Sequence, residues 1–413
     1  MTTTPRVIEF TAPTSEDLTI VDNRLFKAIC LHQILDPTKG CNRYYSLAFM
    51  VVMWVSLSVQ IIQLVGLYFA VNDLQRFAFT TTMIFNALLC LSKGYVLVTK
   101  ADRLRACLEV AQYEFTSCGA RNQLVVRQSR AVLSTVLRTF AVLSWVMCFI
   151  WALTPLFAMD EYLQVTNADG TVSRYRVTIF NVWLPVPTTV YNDTTVWSLV
   201  YAVEVIACFV NVFSWLLFDS YVVTMCFTFN AQFRTVSASC TTIGHCGDSF
   251  RSPSPHASEG TSDDNNILNC YDELINHIKD SQSIINMYDD FFEIIQPAIL
   301  FQIIGGSYSV ITLIFLTSLT YLMVTCELFL YCYVFNHIET EKGNMNFGLY
   351  SSNWTVMDLK FKKTLLFAMN TNSSHRRVMK VTPRSIINLE MFANVMNMSY
   401  SIVSVLLNSR VQK

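Results

Sequence analysis

The chain has 413 residues, 53% hydrophobic, 13% aromatic and only 14% charged, whereas soluble domains carry roughly 25% charged residues, so a soluble enzyme is excluded. Its 29 Lys and Arg against 30 Asp and Glu leave a net charge of -1, which removes any global electrostatic case for nucleic acid or an acidic substrate. Long apolar runs repeated along the chain point instead to an all-α polytopic membrane protein.

Crossing a hydrocarbon core of about 30 Å takes roughly 20 apolar residues in a helix, because unpaired backbone amides are too costly there. Residues 1–43 are polar and mixed in charge, and are read as a cytoplasmic segment without a cleavable signal. Seven segments then meet the length: 44–71, 77–99, 131–158, 196–220, 294–316, 318–336 and 386–408. The first four belong to a unit over 44–236, which includes an exterior loop at 159–195. In that loop Gly170 to Phe180 alternates β-branched residues and reads as a strand pair or lid.

Residues 237–265 are rich in Ser, Gly, Pro and Asp and are expected to be disordered. From Ile267 the apolar residues Tyr271, Leu274, Ile278, Ile285, Tyr288 and Phe292 recur mostly at steps of three and four, an amphipathic helix running into span five. A second amphipathic helix sets Met357, Phe361, Leu365 and Met369 on one face. Spans five and six with these extensions form a unit over 266–385, and span seven with the exterior C-terminus covers 386–413. The amphipathic stripes fit subunit assembly, through Trp354, Phe361, Leu365 and Met369, or simple padding of the chain's own cytoplasmic ends.

Orientation follows from the basic residues. The N-terminal segment and the second, fourth and sixth loops hold 22 of the 29, and the opposite side holds 5. The N-terminus is therefore expected in the cytoplasm and the C-terminus outside. The remaining two, Lys93 and Arg138, lie within spans near the cytoplasmic side, where long side chains can snorkel. All 13 cysteines fall in spans or cytoplasmic segments, as expected of reduced thiols. A sequon at Asn192-Asp-Thr194 lies in the exterior loop, making Asn192 a glycosylation candidate.

No phosphate-binding glycine loop, zinc-protease helix, paired Cys-x-x-Cys or nucleophile elbow is present, and the six histidines are scattered. No enzyme activity, cofactor or metal is expected. Ionisable residues within spans are functional candidates by default. Glu204, two turns into span four, could serve an exterior pocket or bond a neighbouring helix, and Glu327, midway along span six, reads as structural. The exterior halves of spans two, three, four and six offer Phe79, Met83, Cys148, Phe149, Ala152, Tyr201, Val205, Cys208, Tyr321 and Thr325 as lining for a small apolar pocket, or as ordinary helix packing. Hydroxyls of Tyr or Thr orienting one polar group would suit a volatile with a single hydrogen-bond acceptor, such as an ester or terpenoid. Span seven is the most polar, so one face should meet water or protein. Ser401, Val405 and Ser409, with Asn408 beside them, share a face that could line a pore.

The tail carries a resemblance. Tyr350-Ser-Ser-Asn-Trp354, Lys363-Thr-Leu-Leu-Phe-Ala-Met369, Leu389-Glu-Met-Phe392 and Ser399-Tyr-Ser401 are similar, in order and spacing, to the C-terminal signature of insect odorant receptors. Between the second and third pieces His375 to Val381 replaces the family's usual Pro and Ala-Gly. The resemblance implies an odorant-gated, non-selective cation channel in the plasma membrane of a sensory neuron. It implies a hetero-oligomer, a tetramer, with a shared co-receptor subunit, contacts through the cytoplasmic helices, a pore along span seven with its gate near Val405 and Ser409, and a volatile ligand among spans two to six. The partners are then co-receptor, small volatile, membrane lipid and permeating cations, with no nucleic acid. The shorter, serine-rich fourth loop marks a tuning subunit rather than the co-receptor. A gustatory-receptor-like channel of the same superfamily is the nearest alternative. A G-protein-coupled receptor would need the N-terminus outside, and a transporter would show two related halves.

Overall fold

The computed structural model describes residues 19–21, 23–35, 42–70, 74–117, 123–159, 161–166, 172–182, 184, 186–245, 262–315, 320–374, 378, 380–382 and 385–411. Among these residues are twelve α-helices and two small hairpins, with three short 3-10 turns at Leu108–Ala111, Tyr113–Phe115 and Trp354–Val356: α1 Asn23–Ala28, α2 Leu31–Leu35, α3 Asn42–Ala70, α4 Leu74–Thr99, α5 Ala101–Cys107, α6 Gln123–Phe157, β1 Tyr162–Thr166, β2 Val172–Arg176, α7 Thr188–Tyr191, α8 Thr194–Cys240, α9 Ser262–Phe315, α10 Thr320–Tyr350, α11 Leu359–Ser374, β3 Lys380–Thr382, β4 Ser385–Ile386 and α12 Leu389–Val411.

Six of them, α3, α4, α6, α8, α9 and α10, are long and apolar enough to cross a membrane. At 23 residues α12 is also long enough but more polar, in keeping with its run of Asn and Ser. Helix α8 is the central pillar, packed against α3, α4, α6, α9 and α10. From Leu216 to Cys226 every residue of α8 is buried, whatever direction it faces. Around it, α3 and α6 turn Trp54, Ile61, Leu64, Val142, Val146, Ile150 and Leu153 outward. An apolar surface this continuous is stable only against lipid.

Two helices run far beyond the bilayer. Helix α8 has 47 residues and α9 has 54, about 70 and 81 Å at 1.5 Å per residue. The amphipathic stretch from Ile267 is the first half of α9, continuous with the span as its periodicity predicts. Helix α8 passes the expected end at residue 220 by twenty residues, because its lower half is buried on nearly every side, with Arg234 exposed, and shows little apolar period. It reaches Cys240 and so takes in the first residues of the segment expected to be disordered. Ser237 is held there by donating to the Asn344 carbonyl at 3.0 Å. Residues 246–261 lie outside the described residues.

Helices α8 and α10 come so close at this end that a Cβ on Gly348 would lie 2.6 Å from the Ser237 carbonyl oxygen. Helix α11 packs on α10 and α9. It buries Phe361, Leu365 and Ala368 and turns Leu359, Leu366 and Phe367 outward. Lys360 caps the contact with α9, its Nζ 4.1 Å from the Tyr271 ring centre. The loop between α6 and α8 forms an antiparallel hairpin, Tyr162 opposite Arg176 and Thr166 opposite Val172.

Candidate ligand cavity

Residues 177–182, just after the hairpin, turn back into the bundle. The fold there depends on Glu204, buried on α8, whose carboxylate accepts from Thr178 Oγ1 at 2.9 Å, Phe180 N at 2.9 Å and Val182 N at 3.3 Å. Asn181 takes a left-handed φ of 51°, tolerable for Asn, and its Oδ1 accepts from Thr178 N. Gln63, Trp197 and Tyr191 donate to the carbonyls of Phe180, Val177 and Val182. Pinned in this way, Ile179 and Phe180 form the roof of a cavity of about 170 Å³. For scale, a cavity of about 150 Å³ accepts benzene.

The walls come from four helices: Met83, Asn86, Ala87, Leu89 and Cys90 of α4; Ser144, Met147, Cys148 and Trp151 of α6; Cys208, Asn211, Val212 and Trp215 of α8; and Met323, Val324 and Glu327 of α10. Sulfur and aromatic carbon dominate this lining. Cys148 Sγ and Cys208 Sγ face each other at 4.0 Å.

At the inner end lies a buried ionic cluster. Lys93 Nζ, with 0% side-chain exposure, donates to Asp219 Oδ1 at 2.6 Å and Glu327 Oε1 at 3.0 Å. Tyr331 donates its hydroxyl to Asp219 Oδ1 at 2.6 Å, and Trp215 Nε1 donates to Glu327 Oε1. The ammonium also lies 5.7 to 6.0 Å from the ring centres of Phe218, Tyr331 and Trp215. Lys93 therefore does not snorkel: two acids from neighbouring helices hold it inside.

Spans two, three, four and six supply the walls, and three of the ten expected residues are among the lining. Met83, Cys148 and Cys208 line the cavity. Phe79 stands one layer behind, stacked on Trp151 with centroids 6.2 Å apart. Ala152 is buried and accepts from the Tyr201 hydroxyl, while Val205 packs in the same cluster. Thr325 is half-buried, and Phe149 and Tyr321 face outward. On α10 the lining residues are Met323, Val324 and Glu327 rather than Tyr321 and Thr325, a face rotated by about 200°, since each residue turns the helix by about 100°. Glu327, expected to be structural, lines the cavity as well as anchoring Lys93. Its helical spacing from Met323 was the available signal.

On α12, Ser401, Val405 and Asn408 are exposed, and Ser409 lies in the helix with its side chain outside the described residues. Ser399, Met391 and Val403 face the protein instead. Of the residues expected at the subunit contact, Phe361 and Leu365 are buried within the chain, and Trp354 and Met369 pack against the same core. At the sequon, Asn192 Oδ1 accepts from Arg176 N at 2.9 Å and Nδ2 donates to the Arg174 carbonyl at 2.8 Å. This asparagine clamps the hairpin.

The fold is similar to that of the insect olfactory receptor OR5 from Machilis hrabei, with a TM-score of 0.73 at 13% identity over 93% of this chain and 97% of that one. It is similar also to the same receptor in complex with eugenol, with a TM-score of 0.68 at 13% identity over 94% and 98%. No curated protein sequence matches. The family model for the 7tm odorant receptor matches residues 73–400, most of the chain. The chain is therefore a receptor rather than an enzyme, and it belongs to the 7tm odorant receptor family.

Proposed function

We propose that this chain is the odorant-binding, tuning subunit of a ligand-gated, non-selective cation channel. The observation that carries the reading is the small apolar cavity closed by the Glu204-pinned roof between α4, α6, α8 and α10. The similar Machilis receptor was solved with eugenol, a small aromatic volatile, and a single-ring compound suits the volume here. The ligand must favour the open arrangement, since equal affinity for both states moves nothing.

In this reading the N-terminus is cytoplasmic and the C-terminus exterior, and the chain sits in the plasma membrane. Helix α12 lines the pore, and its outward Ser401, Val405 and Asn408, together with Ser409, face the conduction path. The partner is a co-receptor subunit in a tetramer. The outward apolar residues of the cytoplasmic body, Phe347, Leu359, Leu366 and Phe367, suit the subunit contact better than the inward Phe361 and Leu365.

The test is whole-cell current from oocytes expressing this chain with and without an insect odorant co-receptor under a panel of volatiles. Rapid cation current that needs both chains is the expected result. Silence with both chains at the surface would count against the channel-subunit reading.

A further inference from the structure

The Lys93 cluster holds two carboxylates and one ammonium, each at most 5% exposed. Fully ionised, it carries an excess negative charge inside the bundle, which is costly unless something compensates it. Asp219 Oδ2 is buried and finds no donor. Of the two acids, Glu327 lines the ligand cavity. Its Oε1 takes Lys93 and Trp215 as donors, and its carboxyl also lies in hydrogen-bond contact with that of Asp219.

The other polar groups on the cavity wall are engaged through their oxygens, while the amide Nδ2 groups of Asn86 and Asn211 also belong to the wall. Ser144 donates to the Phe140 carbonyl, Asn211 Oδ1 accepts from Ser56, and Asn86 Oδ1 accepts from Ser309. The lining therefore offers an acidic acceptor at one end, two asparagine amides on the wall, and aromatic, thiol and thioether surface elsewhere.

We infer that the cavity selects ligands carrying a hydrogen-bond donor, an O–H or N–H group on a single-ring or short hydrocarbon body, and that Glu327 receives this donor. The inference deepens the odorant-binding reading and rests on it. It replaces the acceptor-bearing ester or terpenoid expected from the sequence. An acceptor-only ligand would add no donor to those the carboxylate already has and would set a second lone pair against it.

The test uses the purified full chain in lipid nanodiscs and follows tryptophan fluorescence, because Trp151 and Trp215 line the cavity. The probes are matched in shape: 4-methylphenol against 4-methylanisole, with benzylamine as a third arm. Hydrogen bonds to charged groups are the stronger class, so the phenol should bind about tenfold or more tighter than the anisole. In Glu327→Gln that preference should shrink to about threefold or less. Asp219→Asn, which keeps Glu327 at the wall, should retain it. Benzylamine binding tighter than the phenol would assign the excess charge to an ammonium partner, and binding below it would assign a neutral O–H donor. Either order supports the inference provided the anisole is weakest.

Equal binding of phenol and anisole, or a preference that survives in Glu327→Gln, would overturn the inference while leaving the cavity assignment standing. Binding of no probe would overturn both. Glu327→Gln leaves Lys93 and Asp219 as a balanced pair, so it should fold. If it does not, the ranking by the unmodified chain still decides. Because binding is read without current, failure of the channel reading in oocytes is a separate result.

Discussion

Replacing Lys93 exposes the cluster's logic most directly. Lys93→Met leaves Asp219 and Glu327 buried together without their cation, and breaking a buried pair from one side costs about 3–5 kcal/mol. Its melting temperature in detergent should fall steeply. The triple variant with Asp219→Leu and Glu327→Leu should recover most of the loss, since an apolar replacement of a whole buried cluster is often neutral. No recovery would mean that the cluster also specifies the packing of α4, α8 and α10. Glu204 acts differently, since its partners are backbone and hydroxyl groups of the roof. Glu204→Ala leaves the N–H groups of Phe180 and Val182 buried without acceptors, at about 1–3 kcal/mol each. Limited proteolysis should then cut near residues 178–182, where the unmodified chain resists.

At the scale of elements, two glycines on α10 separate packing from propensity. Gly348→Ala puts a methyl group against the Ser237 backbone and should force α8 and α10 apart, at about 1–3 kcal/mol. A Cβ on Gly343 would have nothing within 4 Å, so Gly343→Ala should be neutral or stabilising by up to about 1 kcal/mol. Thermal unfolding of the two variants side by side checks both signs. Helix α11 allows a similar separation. Phe361→Ala should cost about 3–5 kcal/mol as a core truncation, whereas Leu366→Glu with Phe367→Glu should leave the monomer's melting unchanged and lower the mass seen by light scattering after co-expression with a co-receptor. Unchanged mass would move the subunit contact elsewhere.

How much of this was legible in the sequence differs by element. The spans, the β1–β2 hairpin and the amphipathic entry to α9 follow from apolar length, β-branched alternation and helical period, all local properties of the chain. The lower half of α8 was not legible, because a helix buried on nearly every side has little period to read. Asp219 was passed over for a related reason. It sits in an apolar run, and its partners come from α4 and α10, more than a hundred residues away in sequence. The cavity's helices were legible from composition, and Met83, Cys148 and Cys208 of its lining with them, but the α10 lining was not, since which face of α10 turns inward is decided by its neighbours.

Across the whole molecule, buried neutral acids set an alkaline limit. Burial, with Asp290 nearby, pushes the Cys107 thiol up from 9.0 to about 11. Burial, with Glu204 nearby, pushes the Tyr191 phenol up from 10.0 to about 12. Above about pH 9 the unfolded chain releases protons that the folded chain keeps, so stability should stay level below that value and fall as pH rises through 9 to 12. A melting series from pH 7 to 11 checks the sign, and Cys107→Ala should flatten part of the slope.

The same molecule-wide view gives α8 a mechanical meaning. Across its 47 residues it contains neither proline nor glycine, so it has none of the usual sites at which a helix bends. A rod of about 70 Å that tilts by 5° about its outer end swings its inner end by about 6 Å, more than the width of one helical turn's rise. Cys208, Asn211 and Trp215 of the cavity sit on the outer half of this rod, and Ser237, against Gly348, sits near its tip. A displacement of an ångström or so around a single aromatic ring would therefore arrive at the contact with α10 near Gly348 enlarged, with α8 serving as the lever and the cavity placed near its short arm.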